Sequence, residues 1–133
     1  MTVRAIDSSS AVKFFSKEEG WEQLRKIFLE GTISINLLIK EVANALWKKV
    51  LMDEISIEDA QKIINDLAKN EVIKIVNQNK YLNEAFKIAT KHKITVYDAL
   101  FIALAKLESI ELVTSDIKQA EIAKKEGIQV AIV

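Results

Sequence analysis

The stretch ITVYDALFIALA, residues 94–105, is almost wholly apolar, yet its first turn contains one acid, Asp98. An apolar run of this length without a polar face predicts a helix that is buried in the domain. Thr95 and Asp98 have the spacing of a capping box, with Asp in place of Glu. Asp98 therefore has two possible roles, a structural one as a helix cap and a chemical one as a metal ligand. The positions of the other acids in the chain distinguish between them.

Composition limits the class of protein. The chain has 133 residues, half of them apolar and 29% charged, which is typical of one globular domain, and we predict a single domain over residues 1–133. Lys+Arg and Asp+Glu both number 19, so the net charge is zero, a total that a basic rim around an acidic pocket would leave unchanged. The sequence shows no signal peptide or membrane span, so the expected location is the cytoplasm, without a membrane partner.

The residue types limit the kind of site. The sequence has no Cys and one His, which excludes thiolate zinc sites and cysteine nucleophiles and disfavours His-rich metal sites. A bound metal would be held mainly by oxygen ligands, which favours Mg²⁺ or Mn²⁺. The single histidine, His92, lies in the polar segment ATKHKIT, residues 89–95. We predict that it is solvated and takes no part in chemistry.

Short β-like apolar runs alternate with longer helical stretches along the chain. Strands are predicted at residues 2–6, 32–35, 71–76, 111–114 and 128–133. Helices are predicted at residues 8–15 and 20–29, after a cap at Asn36, and at 56–70, 81–92, 95–107 and 116–126, the last closed by Gly127. The predicted buried face of the helix at 81–92 consists of Leu82, Ala85, Phe86 and Ala89. Strands separated by helices predict parallel pairing and an α/β fold.

Four acids lie where strands lead into helices or on an otherwise apolar helix face. Asp7 directly follows the first strand, and Asp116 follows the fourth strand after one intervening residue. Each has a simple explanation as an N-cap. Glu41 lies at the margin of a buried helix face, where a lone Glu is usually a boundary residue. Ligands of open α/β sheets bind outside the carboxyl ends of the strands, where the strand order reverses. If strands one and four are neighbours at that point, the carboxylates of Asp7 and Asp116 face one crevice, onto which the N-termini of the helices carrying Asp98 and Asp116 can also open. Several carboxylates in one crevice repel each other unless a cation lies among them.

Four segments in order resemble the PIN domain, most closely the VapC-type toxins of prokaryotic toxin–antitoxin pairs. They are the ID-S-S pattern after the first strand, EVANALW on the third helix, TVYDALFIALA, and LVTSD. The resemblance covers essentially the whole chain. It implies a three-layer α/β/α fold with a five-stranded parallel sheet of order 3-2-1-4-5. It also implies a metal-dependent ribonuclease that hydrolyses phosphodiester bonds of RNA with the help of Mg²⁺ or Mn²⁺.

The resemblance also implies which residues act. The acidic quartet, expected to hold the metal and to catalyse, falls on Asp7, Glu41, Asp98 and Asp116. The small polar residues expected to contact substrate fall on Ser9 and Thr114. Some relatives have a further acid shortly after the fourth, whereas Ile117 and Lys118 follow here, which leaves open whether one or two ions bind.

Partners follow from the same reasoning. Single-stranded RNA is the expected substrate, and Lys13, Lys40 and Lys48 are candidates for a basic rim that contacts phosphates. The resemblance implies a cognate VapB-type antitoxin and a homodimer. Such antitoxins typically lay a helix in an apolar groove of the toxin.

Three other functions compete with the toxin. A non-catalytic PIN-like binding domain usually lacks one or more acids, whereas all four are present. A receiver-like phospho-acceptor domain needs a pair of acids near the end of the first strand, which DSSS at residues 7–10 lacks. A housekeeping RNA-processing PIN nuclease stays open, although the absence of an appended RNA-binding domain in this sequence favours the toxin.

Overall fold

A computed structural model describes residues 2–133 as five short strands and seven α-helices in alternation. The strands are β1 (Arg4–Ile6), β2 (Thr32–Ile35), β3 (Lys74–Val76), β4 (Leu112–Thr114) and β5 (Val130–Ile132). The helices are α1 (Ser8–Phe15), α2 (Glu22–Glu30), α3 (Leu37–Leu51), α4 (Ile57–Ala68), α5 (Leu82–His92), α6 (Val96–Glu108) and α7 (Ile117–Lys125). A short 3-10 helix, Gln78–Tyr81, leads into α5.

The strands form one parallel sheet in the order β3-β2-β1-β4-β5, which confirms the predicted fold class. The chain first builds the sheet outward from β1 to β3 and then crosses to the other side of β1 for β4 and β5. Right-handed crossovers consequently put α1 to α4 on one face and α5 to α7 on the other. The order therefore reverses between β1 and β4, and a ligand site is expected at the carboxyl ends of these two strands.

Helix α6 is the buried helix that the apolar run predicts. Every residue from 99 to 105 is buried, because the helix packs on β1, β2 and β4 at the centre of the sheet, with α5 and α7 beside it. Thr95 is the N-cap, and its Oγ1 accepts a hydrogen bond from the backbone N–H of Asp98 at 3.2 Å. Within residues 2–133 the carboxylate of Asp98 has no hydrogen bond of its own, so it stays available for another role.

The predicted buried face of α5 is half wrong. Leu82 and Phe86 are 46% and 60% exposed, whereas Ala85 and Ala89 are buried together with Ile88. Helical spacing is compatible with several faces of α5, and the face that packs carries two alanines together with Ile88. Alanines at these positions allow α5 to approach α6 closely along its length.

Two further predictions need correction. Asn36 precedes α3 but does not cap it; its Oδ1 instead accepts a hydrogen bond from the backbone N–H of Gln78 at 3.0 Å. His92 is not solvated: its side chain is 11% exposed and its Nε2 lies 2.6 Å from an Oε of Glu126. Gly127 does follow the end of α7, with a φ of +79° that a Cβ would strain.

Within residues 2–133, no helix combines the length and the apolar character needed to cross a membrane.

Candidate functional site

A cleft of about 780 Å³ opens at the carboxyl ends of β1 and β4. All four predicted acids line it. Asp7 is the first residue after β1 and Asp116 the second after β4, whereas Glu41 lies in the second turn of α3 and Asp98 in the first turn of α6. Four separate segments of the chain therefore bring one carboxylate each to the position where the strand order reverses.

Asp7 is held more tightly than the other acids. Its side chain caps α1, where Oδ1 accepts hydrogen bonds from Ser10 N–H at 3.1 Å and from the Ser9 hydroxyl at 2.8 Å. Its Oδ2 accepts a hydrogen bond from the hydroxyl of Thr114 at 2.5 Å. Asp7 is 4% exposed, and this burial raises the pKa of its carboxyl, although the three hydrogen bonds work in the opposite direction.

Asp116 lies near Asp7, at the carboxyl end of the neighbouring strand β4. It caps α7 by accepting a hydrogen bond from Gln119 N–H at 3.2 Å, and its own backbone N–H donates to the hydroxyl of Thr114 at 3.0 Å. Thr114 thereby connects the two acids. Besides burial, which is the larger cause, the negative charge of Asp116 also raises the pKa of Asp7.

Glu41 and Asp98 form the second pair of acids in the cleft. Glu41 is half-buried, as its position at the margin of the apolar face predicts, and the hydroxyl of Ser8 donates a hydrogen bond to its Oε1. Burial raises the pKa of Glu41, the hydrogen bond from Ser8 lowers it, and the charge of Asp98 raises it further. Within each of the two pairs, the carboxylates thus repel each other in a partly desolvated cleft.

Lysines surround the acids. Lys13, Lys40 and Lys48, the three candidates for a basic rim, all line the cleft, and so does Lys49, which the sequence does not single out. Lys49 Nζ lies 3.6 Å from a carboxylate oxygen of Glu18. An acidic centre with a basic rim is thereby built within a chain of zero net charge.

The sequence pattern of the PIN domain family matches residues 5–125, which include all four acids of the cleft. The chain belongs to the PIN domain family. Among its relatives, Ribonuclease VapC3 of Pyrobaculum aerophilum is 30% identical over 119 residues, which cover 87% of this chain and 91% of that protein. Ribonuclease VapC1 of Mycobacterium tuberculosis is 33% identical over 85 residues, 64% of this chain and 62% of that protein. This PIN domain is accordingly of the VapC type.

Two solved structures are similar to this PIN domain in fold. The crystal structure of PAE2754 from Pyrobaculum aerophilum superposes with a TM-score of 0.73 at 23% identity, covering 98% of this chain and 92% of that one. The structure of VapBC2 from Rickettsia felis, bound to a DNA fragment from the promoter, gives a TM-score of 0.69 at 13% identity and covers 99% of both chains.

The donor atoms of this PIN domain suit a hard divalent cation, because all four candidate ligands are carboxylates. Asp7 uses three of its roughly four acceptor positions on its own hydrogen bonds, and the carboxylate of Asp98 uses none within residues 2–133. Within that same range, however, no three His, Cys, Asp or Glu side chains lie close enough together to hold one ion as they stand. The chemistry of the donors nevertheless fits the ion, because Mg²⁺ commonly binds through one or two carboxylates and keeps several water ligands.

Three polar residues that hold the PIN domain cleft together through hydrogen bonds are not predicted from the sequence. Ser8 contacts Glu41, and Ser115 N–H donates to the hydroxyl of Ser9 at 3.0 Å. Gln119 is 6% exposed, and its Nε2 donates to the backbone oxygen of Asp98 at 2.9 Å. The only signal in the sequence is proximity, since Ser8 and Ser115 adjoin predicted acids and Gln119 lies one turn after one.

Proposed function

We propose that residues 1–133 form one PIN domain that acts as a metal-dependent endoribonuclease, the toxin of a VapBC-type toxin–antitoxin pair. The observation that carries the proposal is one cleft in which four carboxylates from four segments are surrounded by lysines. Relatives over most of the chain are named ribonucleases, which supports RNA as the substrate. Cleavage of cellular RNA would take place in the cytoplasm.

The lysines and the acids have different tasks in this proposal. Lys13, Lys40 and Lys48 bind phosphates on either side of the scissile bond and fix the position of the strand. The phosphate group then lies above the carboxylates, where its negative charge and theirs would repel. A bound Mg²⁺ or Mn²⁺ ion, when present, offsets that charge and lowers the pKa of the attacking water.

Asp7, Glu41, Asp98 and Asp116 are the proposed ligands and the catalytic residues. Ser9 and Thr114, for which substrate contacts are expected from the sequence, donate their hydroxyls to Asp7, and Thr114 is fully buried. We assign to Thr114 the task of orienting Asp7 and Asp116 toward one another. Ser9 lines the wall of the cleft, but its hydroxyl already donates to Asp7 and accepts from Ser115 N–H, so a contact with substrate would replace its hydrogen bond to Asp7. No step requires a histidine.

The presence of all four acids in one cleft favours an enzyme over a non-catalytic PIN-like domain. A housekeeping PIN nuclease would have the same acidic site, so the assignment as a toxin depends on whether this protein has an antitoxin partner. The similarity to the Rickettsia felis VapBC2 structure supports a VapB-type antitoxin. We also propose that the protein forms a homodimer, as the resemblance to the family implies. Analytical ultracentrifugation of the purified protein tests this.

The function is tested by incubating the purified protein with single-stranded RNA in Mg²⁺, in Mn²⁺ and in EDTA. Cleavage is expected with either metal and none in EDTA, and matched single-stranded DNA should be cut much more slowly. Expression in cells should arrest growth, and co-expression of the antitoxin encoded beside it should relieve the arrest. Cleavage without growth arrest, together with no neighbouring antitoxin gene, would favour the housekeeping nuclease.

A further inference from the structure

A second groove adjoins the catalytic cleft. It has a volume of about 630 Å³ and lies between the end of α1, the end of α3 and the first turns of α4. Two residues, Glu18 and Lys49, line both depressions. They form the ion pair at 3.6 Å, with side chains 45% and 24% exposed. The groove and the cleft are therefore neighbours, with this ion pair at their common boundary.

The ion pair between Glu18 and Lys49 at this boundary is easily broken. An ion pair this long and this exposed contributes little to stability, and water or another anion can replace either partner. A phosphate group is such an anion, because Lys49 can contact it in place of Glu18. A polynucleotide strand that leaves the catalytic cleft at Lys49 can consequently continue into the groove.

The lining of the groove suits a single strand. Phe15, Ile55 and Ile63 contribute apolar surface, which suits the faces of unstacked bases. Lys17 and Lys62 also line the groove, and neither forms an ion pair within residues 2–133. Lys17 Nζ lies 5.7 Å from the centre of the Trp21 ring, a cation–π contact, so Lys62 is the lysine that is readily available to phosphates.

The acids of the groove set the orientation of the strand. Glu54 and Asp59 line it as well, and a phosphate placed against them would be repelled. The amino groups of bases, in contrast, donate hydrogen bonds to carboxylates. The strand is thus expected to turn its bases toward Glu54 and Asp59 and its backbone toward the lysines.

The shape of the groove is fixed before a ligand binds. Glu18 N–H donates to the backbone oxygen of Lys13 at 3.0 Å, and Glu54 N–H donates to that of Lys49 at 2.9 Å. These bonds attach the two loops at the rim to the ends of α1 and α3. An RNA strand that enters the groove therefore meets loops that are already held in place and need little reordering on binding.

We propose that this second groove is a subsite for the nucleotides that flank the scissile bond of the RNA, with Lys49 shared between subsite and cleft and Lys62 as the outer phosphate contact. The inference rests on the ribonuclease function proposed above. It predicts that a longer RNA binds through contacts that a short one cannot reach, and that these contacts act on binding and leave the chemical step unchanged.

The test compares a single-stranded RNA of roughly 4 nucleotides with one of roughly 12 that contains the same cleavage site. Lys62→Gln should lower kcat/KM for the longer RNA about fivefold, leave its kcat unchanged, and reduce the salt dependence of KM by about one charge. The same variant should cut the short RNA like wild type. Lys69→Gln is the matched control, because it removes an exposed lysine just after the same helix but outside both depressions.

A second variant predicts a change of opposite sign. Glu18→Gln removes the carboxylate that competes with phosphate for Lys49, so kcat/KM for the longer RNA should rise about twofold. The inference is overturned if Lys62→Gln and Lys69→Gln behave alike on the longer RNA, or if wild type cuts both RNAs with the same kcat/KM. Failure of wild type to cut either RNA would refute the ribonuclease function itself, a distinguishable outcome.

Discussion

The carboxylate of Glu126 joins α5, α6 and α7 at the end of the sheet opposite the cleft, just before β5. Lys106 Nζ donates to it at 2.8 Å, His92 Nε2 lies 2.6 Å away and Lys91 Nζ lies 3.4 Å away. Its side chain is 5% exposed. The hydrogen bond from Lys106, and after it that from His92, lower the pKa of Glu126 from 4.5 to about 2. A shift of this size corresponds to about 3 kcal/mol of stability at neutral pH.

Glu126→Gln should therefore destabilise the fold by about 2–3 kcal/mol at pH 7, because the amide keeps the shape but can accept only part of these hydrogen bonds and leaves Lys106 without its full counter-charge. For a chain of this length the melting temperature should fall by roughly 5–10 °C. Urea and thermal unfolding measure both quantities. Glu121→Gln is the control: Glu121 is exposed on α7, the helix that ends just before Glu126, and has no ion pair within residues 2–133. This change should alter stability by less than about 0.5 kcal/mol.

The pH dependence gives a second, independent signature. Since the pKa of Glu126 is lower in the folded than in the unfolded state, its ionised form stabilises the fold fully above about pH 4.5, and this contribution is lost as the pH falls toward 2. The stability difference between wild type and Glu126→Gln should shrink over that window. A difference that is the same at pH 7 and pH 3, or a loss no larger than that of Glu121→Gln, would refute the reasoning.

Three further predictions concern the cleft. Millimolar Mg²⁺ or Mn²⁺ should raise the melting temperature, and Asp116→Asn should diminish that rise while stabilising the metal-free protein, since it removes repulsion from Asp7; a melting curve indifferent to metal would count against the site. Gln119→Leu should weaken Mn²⁺ binding, measured by calorimetry, and slow cleavage about tenfold, because it breaks the link from α7 to the backbone of Asp98; unchanged metal affinity would contradict this. His92→Ala should lower stability through Glu126 but leave the cleavage rate of the folded protein within a few fold.

Much of the fold is readable from the sequence because local chemistry dictates it. Thr95 caps its helix as its spacing from Asp98 predicts, and the strand–helix alternation appears as expected. Strand boundaries are less readable, since apolar character reports burial and not pairing. Val72 and Ile73, for example, are predicted in a strand, but they pack against the core before β3 begins.

Some features of the candidate site can likewise be predicted from the sequence and others cannot. Asp7 and Asp116 can be located from the sequence because both follow strands whose carboxyl ends meet at one edge of a parallel sheet. Contacts between side chains of distant segments cannot be predicted from the sequence. The hydrogen bonds from Ser8 to Glu41 and from Gln119 to the backbone of Asp98 depend on how α3, α6 and α7 are placed and on the rotamers chosen there. His92 is mispredicted for the same reason, since its partner lies 34 residues further along the chain.

The most direct test of the central claim is the cleavage of one single-stranded RNA by wild type, by Asp7→Asn, Glu41→Gln and Asp98→Asn, and by the double variant of Asp7 and Asp98. Asp53→Asn, which changes an exposed acid outside the cleft, is the control and should cut normally. Each single variant should lose cleavage, and the double variant should be no worse, because losing one ligand already disables the site on which the others act. EDTA should abolish wild-type activity and Mg²⁺ or Mn²⁺ should restore it. Wild type that cuts equally well in EDTA, or an active Asp98→Asn, would contradict the account.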